Sequence, residues 1–179
     1  MRTKHKLNLE RSVPSSVKRE AVLSYLHDHQ RMLSAQPNVS SYVEEDRPSQ
    51  PSALSQVHDA AKSEADDVTG DGFLEPERTK VYEVKEDVPL LGAIHFQSAF
   101  QNEPNGVKSL VMAPMGLTMK AYWQVTKCEG IGGEVDSGLV LKESCEIAVN
   151  ALVMPFVEWP FKKAHETMLD KIILDLEKP

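Results

Sequence analysis

The sequence predicts an α+β fold: a curved, seven-stranded antiparallel sheet around a long C-terminal helix, with two short helices after strand 1. Three observations predict it. Period-two alternation recurs over residues 5–13 and again from 80 to 154. The later alternating segments are joined by short turn-like connections, so neighbours run antiparallel. From residue 155 the apolar period changes to that of a helix, and a sheet with one apolar face needs such a cover.

The elements follow in order. "HKLNLERSV" (5–13) puts Leu7, Leu9 and Val13 on one parity, a half-buried strand. Pro14-Ser15-Ser16 breaks it and offers a hydroxyl N-cap to a helix in "VKREAVLSYLHDH" (17–29). "QRMLSA" (30–35) forms a second short helix, stopped before Pro37 because the proline ring disfavours helical geometry in its predecessor. "NVSSYVEE" (38–45) is a short strand. "KVYEVKEDV" (80–88) groups Tyr82, Val84 and Val88, and "AIHFQSAFQ" (93–101) groups Ile94, Phe96, Ser98 and Phe100. "NEPNG" (102–106) is a hairpin turn whose glycine accepts a positive φ. "VKSLVM" (107–112) returns, and "APMG" (113–116) turns again. "LTMKAYWQVTKC" (117–128) places Leu117, Met119, Ala121, Trp123 and Val125 on one face. After the glycine-rich "EGIGGEVDSG" (129–138), "LVLKESCEIAVNALVM" (139–154) is the last and longest strand. In the C-terminal helix, Phe161, Ala164, His165, Met168, Leu169, Ile172 and Leu176 share one arc. Pro155 or Pro160 marks its start; if it begins at Pro155, Pro160 should kink it.

At 179 residues, 41% hydrophobic, the chain reads as one domain, 1–179, with room for one core. Residues 44–79 hold ten acidic and three basic residues, which carries the whole net charge of −7. That segment is poor in large apolar side chains, so an acidic, disordered insertion over 46–78 is expected. No basic stripe exists, so nucleic acid is not an expected partner. No apolar run reaches the roughly 18–20 residues of a membrane span. "MRTKHKLNLE" is basic but no apolar stretch follows it, so a cytoplasmic protein is expected. Cys128 and Cys145 fall on different strands and read as reduced thiols.

No metal or cofactor is expected. His27 and His29, two apart on a helix, point to opposite sides. "DVTGDGFLE" (67–75) imitates a calcium loop, but its twelfth position is Arg78 where a bidentate Glu is required. "GIGG" (130–133) lacks the helix and lysine of a phosphate loop.

Two polar residues interrupt apolar stripes and are the catalytic candidates. Glu143 shares a parity with Leu139, Leu141, Cys145, Ile147 and Val149. Strict alternation buries it as a general acid or base, whereas a β-bulge near the strand start turns it to solvent. His165 lies on the apolar arc of the helix, either as a proton shuttle or as a core histidine bonded to a carbonyl. Tyr82, Phe96, Met119, Trp123, Phe161 and Met168 are candidate walls for a flat hydrophobic ligand.

This succession of elements resembles the START/Bet v 1 superfamily, the helix-grip fold, over the whole chain except 44–79. "APMGLTMKAYWQV" (113–125) and "NALVMPFVEWPFKKAH" (150–165) are similar to an uncharacterised fungal family of START-like proteins known only as a domain of unknown function. The resemblance implies a cavity between sheet and helix, and it supplies no catalytic residues. Three functions are then open. One is a cyclase, isomerase or dehydratase acting on a polyketide- or terpenoid-like molecule. Another is a carrier or sensor of a small hydrophobic molecule. The third is an adaptor whose acidic 46–78 segment docks a protein partner.

Overall fold

The computed structural model describes residues 2–45, 73–88, 92–128 and 138–178. Residues 67–72 of the calcium-loop imitation (67–75) and the "GIGG" stretch lie outside the described residues, as does 46–72 of the expected insertion.

Seven strands form one antiparallel sheet in the order β1-β7-β6-β5-β4-β3-β2. They are β1 (Arg2–Val13), β2 (Val39–Glu44), β3 (Thr79–Val88), β4 (Gly92–Glu103), β5 (Gly106–Ala113), β6 (Leu117–Lys127) and β7 (Leu139–Asn150). Helices α1 (Arg19–His27) and α2 (His29–Ala35) connect the two edge strands, β1 and β2. The last element, α3 (Met154–Glu177), packs Phe161, Met168, Leu169 and Ile172 against one face of the sheet, the inner face. From the strands, Leu7, Val84, Phe96, Val111, Met119, Trp123 and Leu141 complete that core.

Local chemistry departs from expectation at five places. Ser15 and Ser16 do not cap α1. They lie in a turn closed by the Val17 amide on the Pro14 carbonyl (2.9 Å), and Lys18 is the N-cap, without a side-chain bond. The side-chain cap belongs to α2, where Asp28 accepts from the Arg31 amide at 3.1 Å. Gly106 is required by closeness and not by a positive φ. A Cβ there would sit 1.7 Å from the Trp123 carbonyl oxygen across the β5–β6 ladder. β7 stops at Asn150 instead of continuing to Met154. The Asn150 side-chain oxygen accepts from the Leu152 amide (3.0 Å) and its carbonyl from the Val153 amide (2.9 Å), which closes a turn. α3 then starts at Met154, takes Pro155 in its first turn and runs on through Pro160. Finally, the end of the expected insertion is packed. Phe73 and Leu74, 5% and 4% exposed, cover Val81, Ala99 and Leu110 on the outer face, ahead of a 3₁₀ turn at Pro76–Arg78.

Candidate functional site

Glu143 sits in an unbroken register: it faces Leu9 on β1 and Trp123 on β6, with every neighbouring pair in step. There is no bulge to turn it outward. Its carboxylate therefore points to the inner face, and the residue is 1% exposed. α3 folds back over β7 and brings His165 to it: Nδ1 lies 2.5 Å from Oε1 of Glu143. The Trp123 ring stacks over the imidazole (centroids 6.1 Å apart, planes 20°), and Phe161, one turn earlier on α3, lies against it at 4.2 Å.

An imidazole that donates Nδ1–H to a carboxylate keeps its lone pair on Nε2. Among the described residues nothing bonds Nε2, and the side chain retains 13% exposure. Glu143 holds the ring's tautomer and orientation and stabilises the cation if Nε2 takes a proton, as carboxylates do in nucleophile–histidine–carboxylate systems. Its second oxygen, Oε2, is sealed and has no hydrogen-bond partner among the described residues. Most buried carboxylate oxygens are paired, so this one calls for an explanation.

Two more ionisable groups belong to this face. Cys145 lies two residues along β7; burial, and then the charges of Glu143 and Glu146, push its thiol well above the ordinary range. It stays protonated and unreactive. Glu86 on β3 shares the inner parity of Tyr82 and Val84 and is half-buried. Burial raises its carboxyl, and the charge of His165 pulls it the other way, so the two groups sense each other. Its carboxyl has no bonded partner among the described residues. Sequence reasoning passed over Glu86, although it stands on the same parity as Val84 and Val88.

The candidate ligand-binding residues divide. Trp123 and Phe161 flank the imidazole. Phe96, Met119 and Met168 are buried in the inner-face core. Tyr82 is engaged elsewhere. Its ring packs edge-on against His29 and Phe100, and its hydroxyl reaches Glu44 Oε2 (3.3 Å) and His29 Nδ1 (3.4 Å). His27 turns Nε2 to the carbonyls of Glu103 and Gly106, and His29 bonds the Asn102 side chain at 2.8 Å. A polar cleft of about 330 Å³ lies apart from the dyad, between α2, β2 and α3. Its Asp175 is already bonded by Tyr25, Lys171 and Lys178.

A family model described as "Domain of unknown function (DUF7053)" matches residues 2–178. The chain belongs to this family. No protein with a curated description matches it. Among solved structures, the di-domain aromatase/cyclase BexL of the BE-7585A biosynthetic pathway superposes with a TM-score of 0.64 at 9% identity, over 98% of this chain and 51% of that one. The chain therefore spans about half the length of that protein. The aromatase/cyclase ZhuI of Streptomyces sp. R1128 gives 0.60 at 11% identity, covering 98% and 94%. Truncated norcoclaurine synthase of Thalictrum flavum gives 0.57 at 13%, covering 99% and 97%. At such identities the likeness is one of fold, and the fold is the Bet v 1/START-like helix grip. No helix among the described residues is long and apolar enough to cross a membrane.

Proposed function

We propose that this DUF7053 protein encloses a small hydrophobic molecule between its sheet and α3 and acts on it as a cyclase, isomerase or dehydratase. The observation that carries this reading is the Glu143–His165 hydrogen bond on the inner face. His165 Nε2 is the general base and later the acid; Glu143 is the positioning carboxylate. In a ring closure, Nε2 takes a proton from a carbon next to a carbonyl. The enolate attacks a second carbonyl carbon of the same molecule, forming a C–C bond, and the resulting alkoxide recovers the proton from the imidazolium. A second proton removal with departure of water completes a dehydration. A positioned acid–base group contributes typically ~10²–10⁴-fold. The aromatic walls, Trp123 and Phe161, fold a flexible chain into a near-attack shape. That the neighbours include aromatase/cyclases and a synthase supports the ring-closing reading, with a polyketide- or terpenoid-like substrate as part of the proposal.

The test is metabolite profiling of a strain lacking the gene, complemented with wild type, E143Q or H165A. An uncyclised or hydrated precursor should accumulate in the null strain and with both variants, and wild type should restore the product. Full product with both variants overturns the roles of the dyad and leaves a carrier.

A further inference from the structure

Large apolar side chains are exposed unevenly over the molecule. Of the six that stand exposed among the described residues, four lie at one end of the sheet: Met115, Leu152, Phe156 and Trp159, each 67–82% exposed. Topology gathers them there. The Pro114–Gly116 turn joins β5 to β6, and the turn at 151–153 joins β7 to α3. The two turns are neighbours. Arg2, paired with Asn150 at the end of β7, bonds the Gly116 carbonyl (3.0 Å) and the Thr118 hydroxyl (2.8 Å). Leu117 packs in one cluster with Val153 and Val157 at the start of α3. Phe156, Trp159 and Lys163 follow at spacings of three and four, so they form one stripe. That stripe lies on the side of α3 away from its buried Met154, Met168, Leu169 and Ile172. Met115 is held at φ 64°, a left-handed conformation that a long apolar residue rarely takes, and its side chain projects into solvent.

Single exposed apolar residues are ordinary, but four on adjoining turns and one helix stripe mark an interaction surface. Exposure of this degree means that each side chain stands out from the surface and does not line a groove. A protein partner would need a matching hollow for each protrusion, whereas a lipid surface admits protrusions of any spacing. The charges on the stripe point the same way. Between 152 and 163 it holds no carboxylate; Glu158 lies on the flank, paired with His5 at 3.4 Å. Lys162 and Lys163 border the aromatic rings, both exposed, and the Lys163 ammonium lies 5.2 Å from the Trp159 ring centroid. Tryptophan prefers the headgroup level of a bilayer, and lysine beside it extends its charge outward along an apolar stem. We propose that this end of the molecule docks on an anionic membrane surface. Met115, Leu152 and Phe156 enter the acyl boundary, Trp159 rests at the headgroups, and Lys162 and Lys163 meet the lipid anions. The surface is separate from the Glu143–His165 pair, and its role goes beyond the acid–base reading.

The experiment is co-sedimentation with vesicles of phosphatidylcholine containing about one-third phosphatidylserine, with pure phosphatidylcholine alongside. The chain has two tryptophans and Trp123 is buried, so a blue shift of tryptophan emission on adding vesicles reports Trp159. Wild type should sediment with the anionic vesicles and show that shift. F156A/W159A should bind at least about tenfold more weakly. K162Q/K163Q should lose about fivefold per lysine on anionic vesicles and little on neutral ones. M115G removes the side chain and the strained conformation together, so it should bind more weakly while melting no lower than wild type. Because the replaced side chains are exposed, the other variants should melt within about 2 °C of wild type. Wild type absent from the vesicle pellet, or F156A/W159A binding as wild type does, overturns the proposal. A dimer in sedimentation equilibrium that F156A/W159A dissolves, with no vesicle binding, overturns it too and assigns the stripe to a second copy of the chain.

Discussion

Replacing His165 with Phe removes the only donor that Glu143 has among the described residues. The Glu143 side chain is fully buried and Oε2 has no partner among the described residues, so H165F leaves an uncompensated carboxylate inside the core. Removing one member of a buried pair costs about 3–5 kcal/mol. E143L leaves a partly exposed, uncharged imidazole with one unpaired nitrogen, which costs about 1–3 kcal/mol. The double replacement E143L/H165F puts two apolar groups against Trp123 and Phe161, and such exchanges are often neutral or stabilising. The two single effects should therefore sum to about 4–8 kcal/mol while the double variant lies near wild type, a coupling of several kcal/mol. At roughly 2–4 °C per kcal/mol for a chain of this size, H165F should melt about 6–20 °C below wild type. Urea and thermal unfolding followed by far-ultraviolet circular dichroism measure all four corners of the cycle. H165F unfolding within about 1 kcal/mol of wild type, or a double variant as unstable as the sum of the singles, would refute a buried and interdependent pair.

Three further outcomes are expected. Burial raises the Glu86 carboxyl, with the His165 charge opposing, so the folded protein holds that proton more tightly than the unfolded chain does. Stability is then lost as pH rises from the ordinary value of 4.5 through the raised one; E86Q should remove this decline, stabilising the protein above the window and not below it, as urea midpoints across pH will show. Asp175 is held down at about 2 by the hydrogen bond from Lys178, then by that from Lys171, with a further bond from Tyr25. Its contribution is present above 3.8 and lost as pH falls toward about 2, so D175N should weaken the protein at neutral pH and flatten its acid unfolding in that interval. F73A uncovers Val81, Ala99 and Leu110 and should cost about 3 kcal/mol or more in chemical unfolding, while the histidine resonance of His165 stays in place because Phe73 lies on the outer face.

Parity offered the inward turn of Glu143 as one of two readings, and only the unbroken pairing on both sides, to Leu9 and Trp123, removed the bulge that would have reversed it. Its bond to His165 was not legible, because that depends on where β7 ends. With the turn at Asn150, Glu143 lies seven residues back along the strand, about 23 Å, and His165 eleven residues into α3, about 16 Å. A strand continued to Met154, as alternation predicted, would set Glu143 about 36 Å from the turn and leave the two groups apart. The turn that Asn150 closes with its side chain and its carbonyl therefore sets the distance between the two groups. Glu86 was missed for another reason. Grouping apolar residues of one parity joined Val84 to Val88 and skipped the carboxylate between them, and the coupling to His165 is across the fold and has no sequence spacing. Tyr82 shows the converse: parity placed it on the inner face correctly, but its hydroxyl is taken by Glu44 and His29.

The chain contains its own control for what a structural histidine looks like. His29 is buried, stacks on Phe100 at 4.9 Å, and has a partner on each nitrogen, Asn102 on Nε2 and Tyr82 on Nδ1. Burial lowers its tendency to protonate, so it remains a neutral, satisfied member of the core. His165 differs in each respect that chemistry needs. It has one nitrogen fixed by a carboxylate and the other without a partner among the described residues, some exposure, and a second carboxyl within electrostatic reach. A pair kept only for stability would be better served by two apolar side chains, and a buried carboxylate kept only for packing would have both oxygens bonded. Glu143 meets neither condition. The arrangement leaves Nε2 available to a bound molecule, which favours the acid–base role proposed for it.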